Sequence, residues 1–468
     1  MALANGLAWS LIVPPFQVPD ENAHYAYVQQ VAERGTLPRA SANPGPLSPA
    51  QDVVLADLLT YGVIGNPRNL APFSEVQQQV LAGAEAHHLS ALGSGDALSA
   101  TGNPPLYYAL QAVPYRLAGR GVLDKLVAMR VLSALISAFT VLAIYLFLSE
   151  LLPASPWAWT AGALAAAFQP LFAFMSAGVN NDSLLYLAGA GLLWAIARAF
   201  RRGLGPASGA LIGGFLGLGV LAKFTLLGLA PAAALAVAVL LLRADRKERT
   251  RALQGAAWAA ALSLAPLAVY ALLSASVWDR GLIPGGVGSV AGKPGHAFSF
   301  REEVSHVWQL FLPRLWMRAQ FSYYPLWNTW FVGFIGRFGW NDYGFAAWAY
   351  QVARVLCIAG GALALAELVR RRDAVRRRLG ELAIYALALA GLCVVIGAQS
   401  YRYLIANGGV FEQARYLLPV LGLYAAVAAL AVRAGGRRWG PLVGATVVLL
   451  AIGHDLWAQA ITIARYYT

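Results

Sequence analysis

Charged residues are scarce in this sequence. They make up 12% of its 468 residues, while hydrophobic residues make up 59%; about a quarter of a typical soluble domain is charged. This composition excludes an ordinary soluble domain and predicts one polytopic membrane domain that covers residues 1–468. Cysteine is scarce too. The two that occur, Cys357 and Cys393, lie in apolar stretches, so no disulfide framework is expected.

Motifs of soluble enzymes are missing as well. The chain has no P-loop, no Gly-x-Gly-x-x-Gly turn, no His-Glu-x-x-His and no Gly-x-Ser-x-Gly. The loops that carry its basic runs are too short for the Rossmann-like domain of a soluble nucleotide-sugar enzyme. We therefore expect any activated donor to be presented within the membrane.

The net charge of +13 is concentrated in short clusters between apolar segments. The positive-inside rule assigns these clusters to the cytoplasmic side, so no nucleic-acid partner is needed to explain them. They fall at residues 198–202, 243–251, 370–378 and 433–438. The pattern predicts eleven spans, with the N-terminus inside and the C-terminus outside. The spans are expected near 2–16, 126–150, 157–178, 182–200, 207–223, 225–242, 253–277, 345–369, 382–402, 415–432 and 439–459.

The predicted fold class is therefore an all-α polytopic membrane protein with two long extracytoplasmic loops, 17–125 and 278–344. The apolar segment 103–116 is short and contains Pro114, so we expect a juxtamembrane helix in the interface rather than a span. The first span is short: Ala2 to Val13 rises only about 18 Å, against roughly 30 Å of hydrocarbon. It lacks a basic n-region, which argues against a cleaved signal peptide, and a truncated or mis-annotated start stays open.

Two adjacent carboxylates, Asp20 and Glu21, directly follow this first apolar segment. Pro19-Asp20-Glu21 is typical of a helix start, and the helix is expected to run to Gly35. On that helix Asp20 and His24 share one face. They could act as a base and its partner, or form part of a cation site. The alternative is that Asp20 only caps the helix and His24 bonds within the loop.

A second polar group occurs at the end of the third predicted span, in Asn180-Asn181-Asp182-Ser183. These residues are typical of an N-cap for the next helix. The predicted topology nevertheless brings Asp182 to the same face of the membrane as Asp20, which favours a shared site.

Three basic residues in apolar surroundings lie outside the cytoplasmic runs: Arg130, Lys223 and Arg415. Such cations could bind a phosphate group or extend to lipid headgroups. Glu412 could pair with Arg415. The second long loop is rich in aromatic residues, which suit a membrane interface or a sugar-stacking surface, and its Asp342 could add an acid to the site.

Several short motifs follow one another along the chain. They are Pro19-Asp20-Glu21 with His24, Asn103-Pro-Pro-Leu-Tyr107-Tyr108, Asn180-Asn181-Asp182, Lys223-Phe-Thr and Gln413-Ala-Arg-Tyr-Leu-Leu-Pro419. This pattern resembles a family of predicted bacterial and archaeal membrane proteins of unassigned function. That family is related to the C-type membrane glycosyltransferases (GT-C), which include protein O-mannosyltransferases and the lipid A aminoarabinose transferase. The resemblance covers nearly the whole chain, although Ala414 stands where the related pattern usually has glycine.

The resemblance implies a GT-C-like bundle in the cytoplasmic membrane. It also implies inverting transfer of a sugar from a polyprenyl-phosphate donor to a lipid, glycan or protein acceptor on the extracytoplasmic face. By similarity, Asp20 is the general base, Glu21 its neighbour in the same motif, and Asp182 positions substrate or a divalent cation. The implied substrate-binding residues are His24, Asn103, Tyr107, Arg130, Asn181, Asp182, Lys223 and Arg415. Metal-independent action is favoured; if Mg or Mn takes part, Asp20 and Asp182 would hold it. A transporter or lipid-linked glycan flippase, and a glycan polymerase or ligase, remain alternatives.

Overall fold

The protein is almost entirely helical in the part that the computed structural model describes. That part comprises residues 1–38, 46–58, 60–71, 74–87, 89–93, 100–119, 121–278, 298–314 and 321–468. Residues 279–297 and 315–320 of the second long loop, and several short stretches of the first, lie outside it.

The helices are numbered here in chain order. They are α1 (Ala2–Ile12), α2 (Glu21–Arg34), α3 (Pro49–Asp57), α4 (Thr60–Val63), α5 (Glu75–Ala86), α6 (Leu106–Leu117), α7 (Val122–Leu151), α8 (Pro156–Ala167), α9 (Pro170–Ser176), α10 (Asp182–Arg202), α11 (Pro206–Ala222), α12 (Ala230–Arg243), α13 (Arg249–Ser276), α14 (Phe300–Phe311), α15 (Val332–Gly336), α16 (Ala347–Arg370), α17 (Arg372–Arg377), α18 (Leu379–Asn407), α19 (Leu421–Ala434) and α20 (Gly436–Tyr467). Two 3₁₀ segments, Phe224–Leu229 and Ala414–Val420, lead into α12 and α19, and a π-helical segment, Leu326–Phe331, leads into α15. Strands β1 (Arg337–Phe338) and β2 (Tyr343–Gly344) form an antiparallel hairpin, with Arg337 opposite Gly344.

Eight helical segments among the described residues are long and apolar enough to cross a membrane. A ninth candidate is the pair α8 and α9, which meet at an angle of 57°, and α1 and α11 are shorter apolar helices. These segments lie where the eleven spans were predicted, although α1 and α11 are shorter than a full span. The predicted all-α polytopic membrane fold is confirmed. As expected, α6 is too short to cross: its 12 residues rise about 18 Å.

The basic clusters meet at one end of the helix bundle. Arg202 donates to Glu150 at 2.9 Å, and Arg378 donates to the backbone oxygen of Leu151 at 3.0 Å. These contacts join the ends of α7, α10 and the α17–α18 turn. We call this the basic end, and the opposite end, which carries residues 17–38 and 100–119, the site end.

Small residues let the helices approach closely near the site end. A Cβ atom on Gly189 would lie 2.1 Å from the backbone oxygen of Pro419, so only glycine permits this contact between α10 and the 3₁₀ segment Ala414–Val420. Close backbone approach through small residues is a common way of packing helices in membranes. The contact holds α10, which begins at Asp182, against the segment that carries Arg415.

Candidate active site

Asp20 lies at the start of α2 in a left-handed backbone conformation, with φ of 64°. Residues other than glycine adopt this conformation at a cost of roughly 1 kcal/mol or more. The expected helix start is confirmed, but the side chain makes no capping hydrogen bond. It accepts a hydrogen bond from Arg415 instead, with Nη2 2.7 Å from Oδ2. The alternative in which Asp20 only caps the helix therefore does not describe its contacts.

Asp182 is the second acid at this place. Its Oδ1 lies 2.6 Å from Nζ of Lys223, and its Oδ2 lies 3.8 Å from Nε of Arg415. Asp20, Arg415, Asp182 and Lys223 thus form a chain of alternating charges, which we call the four-charge cluster. The charges of its two carboxylates and two cations sum to zero. Four residues from four separate chain segments converge here.

The loop between α9 and α10 fixes the backbone on both sides of this cluster. Asn180 donates to the backbone oxygen of Pro19 at 3.1 Å, and Asn181 donates to that of Ala222 at 2.9 Å. Pro19 precedes Asp20, and Ala222 precedes Lys223. The described contacts of Asn181, a predicted substrate-binding residue, are thus those of a positioning residue.

Glu21 differs from its neighbour Asp20, because it is fully buried and makes four hydrogen bonds. Its Oε1 accepts from Nε of Arg130 at 2.8 Å and from the Val179 amide at 2.9 Å. Its Oε2 accepts from Nη2 of Arg130 at 2.6 Å and from the Phe16 amide at 2.9 Å.

Arg130 directs its remaining donors at three backbone oxygens, those of Ser10, Val13 and Pro14. All five N–H groups of its guanidinium are then used, and nothing is left for a phosphate. The expectations that Arg130 binds phosphate and that Glu21 takes part in catalysis do not fit this geometry. The buried pair instead ties α7 to the loop before Asp20 and to the loop before Asp182.

His24 faces the site end one turn after Asp20, and its Nδ1 lies 2.9 Å from the Tyr108 hydroxyl. Asn103 donates to the same hydroxyl at 3.2 Å, so the Tyr108 hydroxyl connects Asn103 with His24. Burial lowers the pKa of His24 to about 4, against the opposing effect of Asp20. The imidazole is therefore neutral at pH 7. Tyr107 lies apart from this group, because its hydroxyl bonds Ser133 and Gln111.

The charges around Asp20 keep it ionised. Burial alone would raise its pKa, but the nearby Arg415 and, more weakly, Lys223 outweigh burial and hold the pKa below its usual value. Lys223 and Arg415 also each lie over the Tyr416 ring, 5.4 and 5.3 Å from its centroid. Nε and Nη1 of Arg415 are buried and make no hydrogen bond within the described part of the chain. The cluster thus holds unused donors as well as ionised carboxylates.

Two other acids named in the sequence analysis have their partners outside the four-charge cluster. Asp342 pairs with Arg465 of α20, with Oδ2 3.0 Å from Nη2. Glu412 accepts a hydrogen bond from Ser400 rather than pairing with Arg415. Neither contact could be read from the sequence, because both depend on where distant helix ends meet.

The family model for "Predicted membrane protein (DUF2142)" matches residues 3–424. The chain belongs to the DUF2142 family. None of the curated proteins matches it.

Solved structures resemble this DUF2142 chain only distantly. ArnT from Cupriavidus metallidurans bound to undecaprenyl phosphate is 10% identical, with a TM-score of 0.48 over 99% of this chain and 75% of that one. The same ArnT in the apo state gives 12% identity and 0.45, over 98% and 74%. An oligosaccharyltransferase from Archaeoglobus fulgidus tethered with an acceptor peptide gives 14% and 0.37, over 94% and 54%. With TM-scores below 0.5, these similarities assign no function.

The donor set of this DUF2142 chain does not suit a divalent cation. No group of three or more His, Cys, Asp or Glu side chains in the described ranges could hold a metal ion. Asp20 and Asp182 already pair with Arg415 and Lys223, whereas Mg²⁺ and Mn²⁺ need several oxygen ligands.

Sequence reasoning missed two aromatic residues of this site, Tyr108 and Tyr416. Both lie within quoted motifs, next to Tyr107 and Arg415. Which of two adjacent side chains faces the site depends on how the helix is rotated against its neighbours, and the motif alone does not give that rotation.

Proposed function

We propose that this protein is a membrane glycosyltransferase that moves a sugar from a polyprenyl-phosphate carrier to an acceptor hydroxyl. The observation that carries the proposal is the four-charge cluster. It combines ionised carboxylates with cations that have unused donors, at the end of the bundle opposite the basic runs. Lipid-linked sugar phosphates require these two kinds of group: a base for the acceptor and cations for the phosphate. The motif resemblance points to the same chemistry.

Asp20 is the general base in this proposal. Its ionised carboxylate takes the proton of the acceptor hydroxyl while that oxygen attacks the anomeric carbon of the donor. The bond between that carbon and the phosphate oxygen breaks, and the electron pair leaves with the polyprenyl phosphate. Direct displacement inverts the anomeric configuration. The proton ends on Asp20 and the new negative charge on the phosphate.

Lys223 and Arg415 receive the departing phosphate. Lys223 is about one-fifth exposed, so a phosphate can reach it without displacing Asp182. Arg415 contributes its free Nε and Nη1 while Nη2 stays on Asp20. Charge-assisted hydrogen bonds of this kind are roughly twice as strong as neutral ones, and they strengthen as charge develops on the leaving group.

Glu21, Arg130, Asn180 and Asn181 position this machinery without touching substrate. The buried Glu21–Arg130 pair fixes the loops on either side of the cluster. The two asparagines then hold the residues that precede Asp20 and Lys223. Catalytic geometry generally depends on such supporting contacts, since small displacements of a reacting group are costly.

The active site faces the extracytoplasmic side of the cytoplasmic membrane in this proposal, because the basic end carries the arginine runs typical of cytoplasmic loops.

The buried acid Asp455 of α20 gives little support to the transporter alternative. It accepts hydrogen bonds from Trp9 of α1 and from Gln459, both at 3.0 Å, which ties two helices together.

A transfer assay tests the proposal. The purified protein in nanodiscs is given radiolabelled polyprenyl-phosphate monosaccharides, one at a time, with a crude membrane acceptor extract. Sugar transfer with inversion at the anomeric carbon supports the proposal. Folded protein that transfers none of these sugars, but moves lipid-linked glycans across liposome membranes, would establish the flippase instead.

A further inference from the structure

An open cleft borders Arg415, with about 250 Å³ of empty space that includes open solvent. Pro19, the residue before Asp20, lines it, whereas Lys223 and Asp182 do not. Most of this space is open to solvent, and the enclosed part has room for about one water-sized group, so the cleft suits a single small charged group rather than a whole sugar. One wall is apolar and comes from Leu171 and Phe174 of α9.

A second arginine, Arg337 of β1, also lines the cleft. Its side chain is exposed, and it has no hydrogen bond or ion pair with any residue of the described ranges. The nearest acid in sequence, Asp342, is held by Arg465. Within the described ranges, Arg337 is thus a cation without a counter-charge beside the cleft.

The balance of charges around the cleft indicates a role for Arg337. Within the four-charge cluster, Asp20 and Asp182 already neutralise Arg415 and Lys223. A further anionic group that enters the cleft adds one negative charge, and Arg337 supplies the positive charge that offsets it. Arg415 also lines the cleft, but its buried Nε and Nη1 bind the donor phosphate in the proposed function. The exposed guanidinium of Arg337 therefore supplies the donors of the cleft, and its planar fork suits a phosphate or carboxylate group.

We propose that this cleft is an anion subsite for the acceptor, so that the preferred acceptor carries a phosphate or carboxylate beside the hydroxyl that is glycosylated. Arg337 is the specificity-determining residue of the subsite. This inference rests on the proposed function, in which the donor phosphate lies on the Lys223 side of Arg415. The acceptor then approaches from the cleft, whose lining includes Pro19, the residue before Asp20.

Equilibrium binding tests the subsite without turnover. The protein in nanodiscs is titrated with two matched pairs of probes: methyl glucuronide against methyl glucoside, and glycerol 1-phosphate against glycerol. The wild type is expected to bind the charged member of at least one pair about tenfold more tightly, a difference of about 1.4 kcal/mol. In Arg337→Gln this preference disappears, and in Arg337→Lys part of it returns. The matched control is Arg301→Gln, an exposed arginine of α14, which keeps the wild-type preference.

Two results would overturn the subsite: equal binding within both pairs by the wild type, or an undiminished preference in Arg337→Gln. A third titration, with polyprenyl phosphate alone, identifies the source of the anion. Its dissociation constant is expected to be the same in wild type and Arg337→Gln. A roughly tenfold weakening there would assign Arg337 to the donor and overturn the acceptor assignment. Because none of these titrations needs sugar transfer, failure of the proposed function in the transfer assay remains a separate outcome.

Discussion

Arg130 donates hydrogen bonds to both carboxylate oxygens of Glu21, from Nε at 2.8 Å and from Nη2 at 2.6 Å, and both side chains are buried. The remaining donors and acceptors of the pair bind backbone groups of α1, of the loop that follows it and of the loop before α10. This contact separates two adjacent acids by role, because Asp20 pairs with the active-site cation Arg415 and Glu21 with a structural one.

Glu21→Gln should destabilise the fold. Loss of one partner leaves the buried Arg130 charge uncompensated, at a cost of about 3–5 kcal/mol. We expect a clearly lower unfolding temperature in nanodiscs. Asp20→Asn is the matched control and should unfold near the wild-type temperature, since Asp20 is partly exposed and asparagine tolerates the left-handed backbone. Equal losses in both variants would contradict the division of roles.

Lys223→Gln should weaken the binding of polyprenyl phosphate. It removes a cation that can form a charge-assisted hydrogen bond, worth about 1.5–3 kcal/mol, and leaves the Asp182 charge against the lipid phosphate. We expect a dissociation constant about tenfold higher or more. Lys125→Gln, which alters a lysine paired with Glu33 outside the cluster, should leave it unchanged. Wild-type affinity in Lys223→Gln would remove Lys223 from the phosphate site.

The acid limb of the pH profile should move when Arg415 is neutralised. In the wild type, burial would raise the pKa of Asp20, but Arg415, His24 and Lys223 together lower it below 3.8. The base is then ionised throughout the neutral range, and the stabilisation from its pairing is lost only as the pH falls through this lowered pKa. In Arg415→Gln the burial effect prevails and the pKa of Asp20 rises. We expect kcat/KM to begin falling at a higher pH than in the wild type. Residual activity with an unshifted acid limb would show that Asp20 is not the titrating base.

The sequence predicted much of this arrangement, because its strongest signals are physical. Apolar length and basic runs defined the eleven spans, and the Asp-Glu start with Gly35 defined α2. The predicted topology placed Asp20, Glu21 and Asp182 on one face of the membrane, and the motif resemblance added Lys223 and Arg415 as candidates for the same site. The pairing of Glu21 with Arg130 could not be predicted, because a contact between residues 109 positions apart depends on how the helices pack. The cleft beside Arg337 could not be predicted from the sequence for the same reason.

Chelation should leave transfer unchanged. The two candidate oxygen ligands, Asp20 and Asp182, are each within 2.7 Å of a side-chain cation, and such pairing competes with metal binding. We expect equal rates before and after treatment with EDTA, with Mg²⁺ and Mn²⁺ added back separately. Loss on chelation that either ion restores would show that a metal displaces these cations during turnover.

The most direct test of the account is sugar transfer by Asp20→Asn. Asparagine keeps the size of the side chain and its backbone conformation but cannot accept the acceptor's proton. Asp52→Asn, at an exposed acid of α3, serves as the control. The account predicts a loss of about 10²–10⁴-fold in kcat, with the fold and the affinity for polyprenyl phosphate retained, and full activity in the control. Turnover at the wild-type rate by purified, folded Asp20→Asn would contradict it.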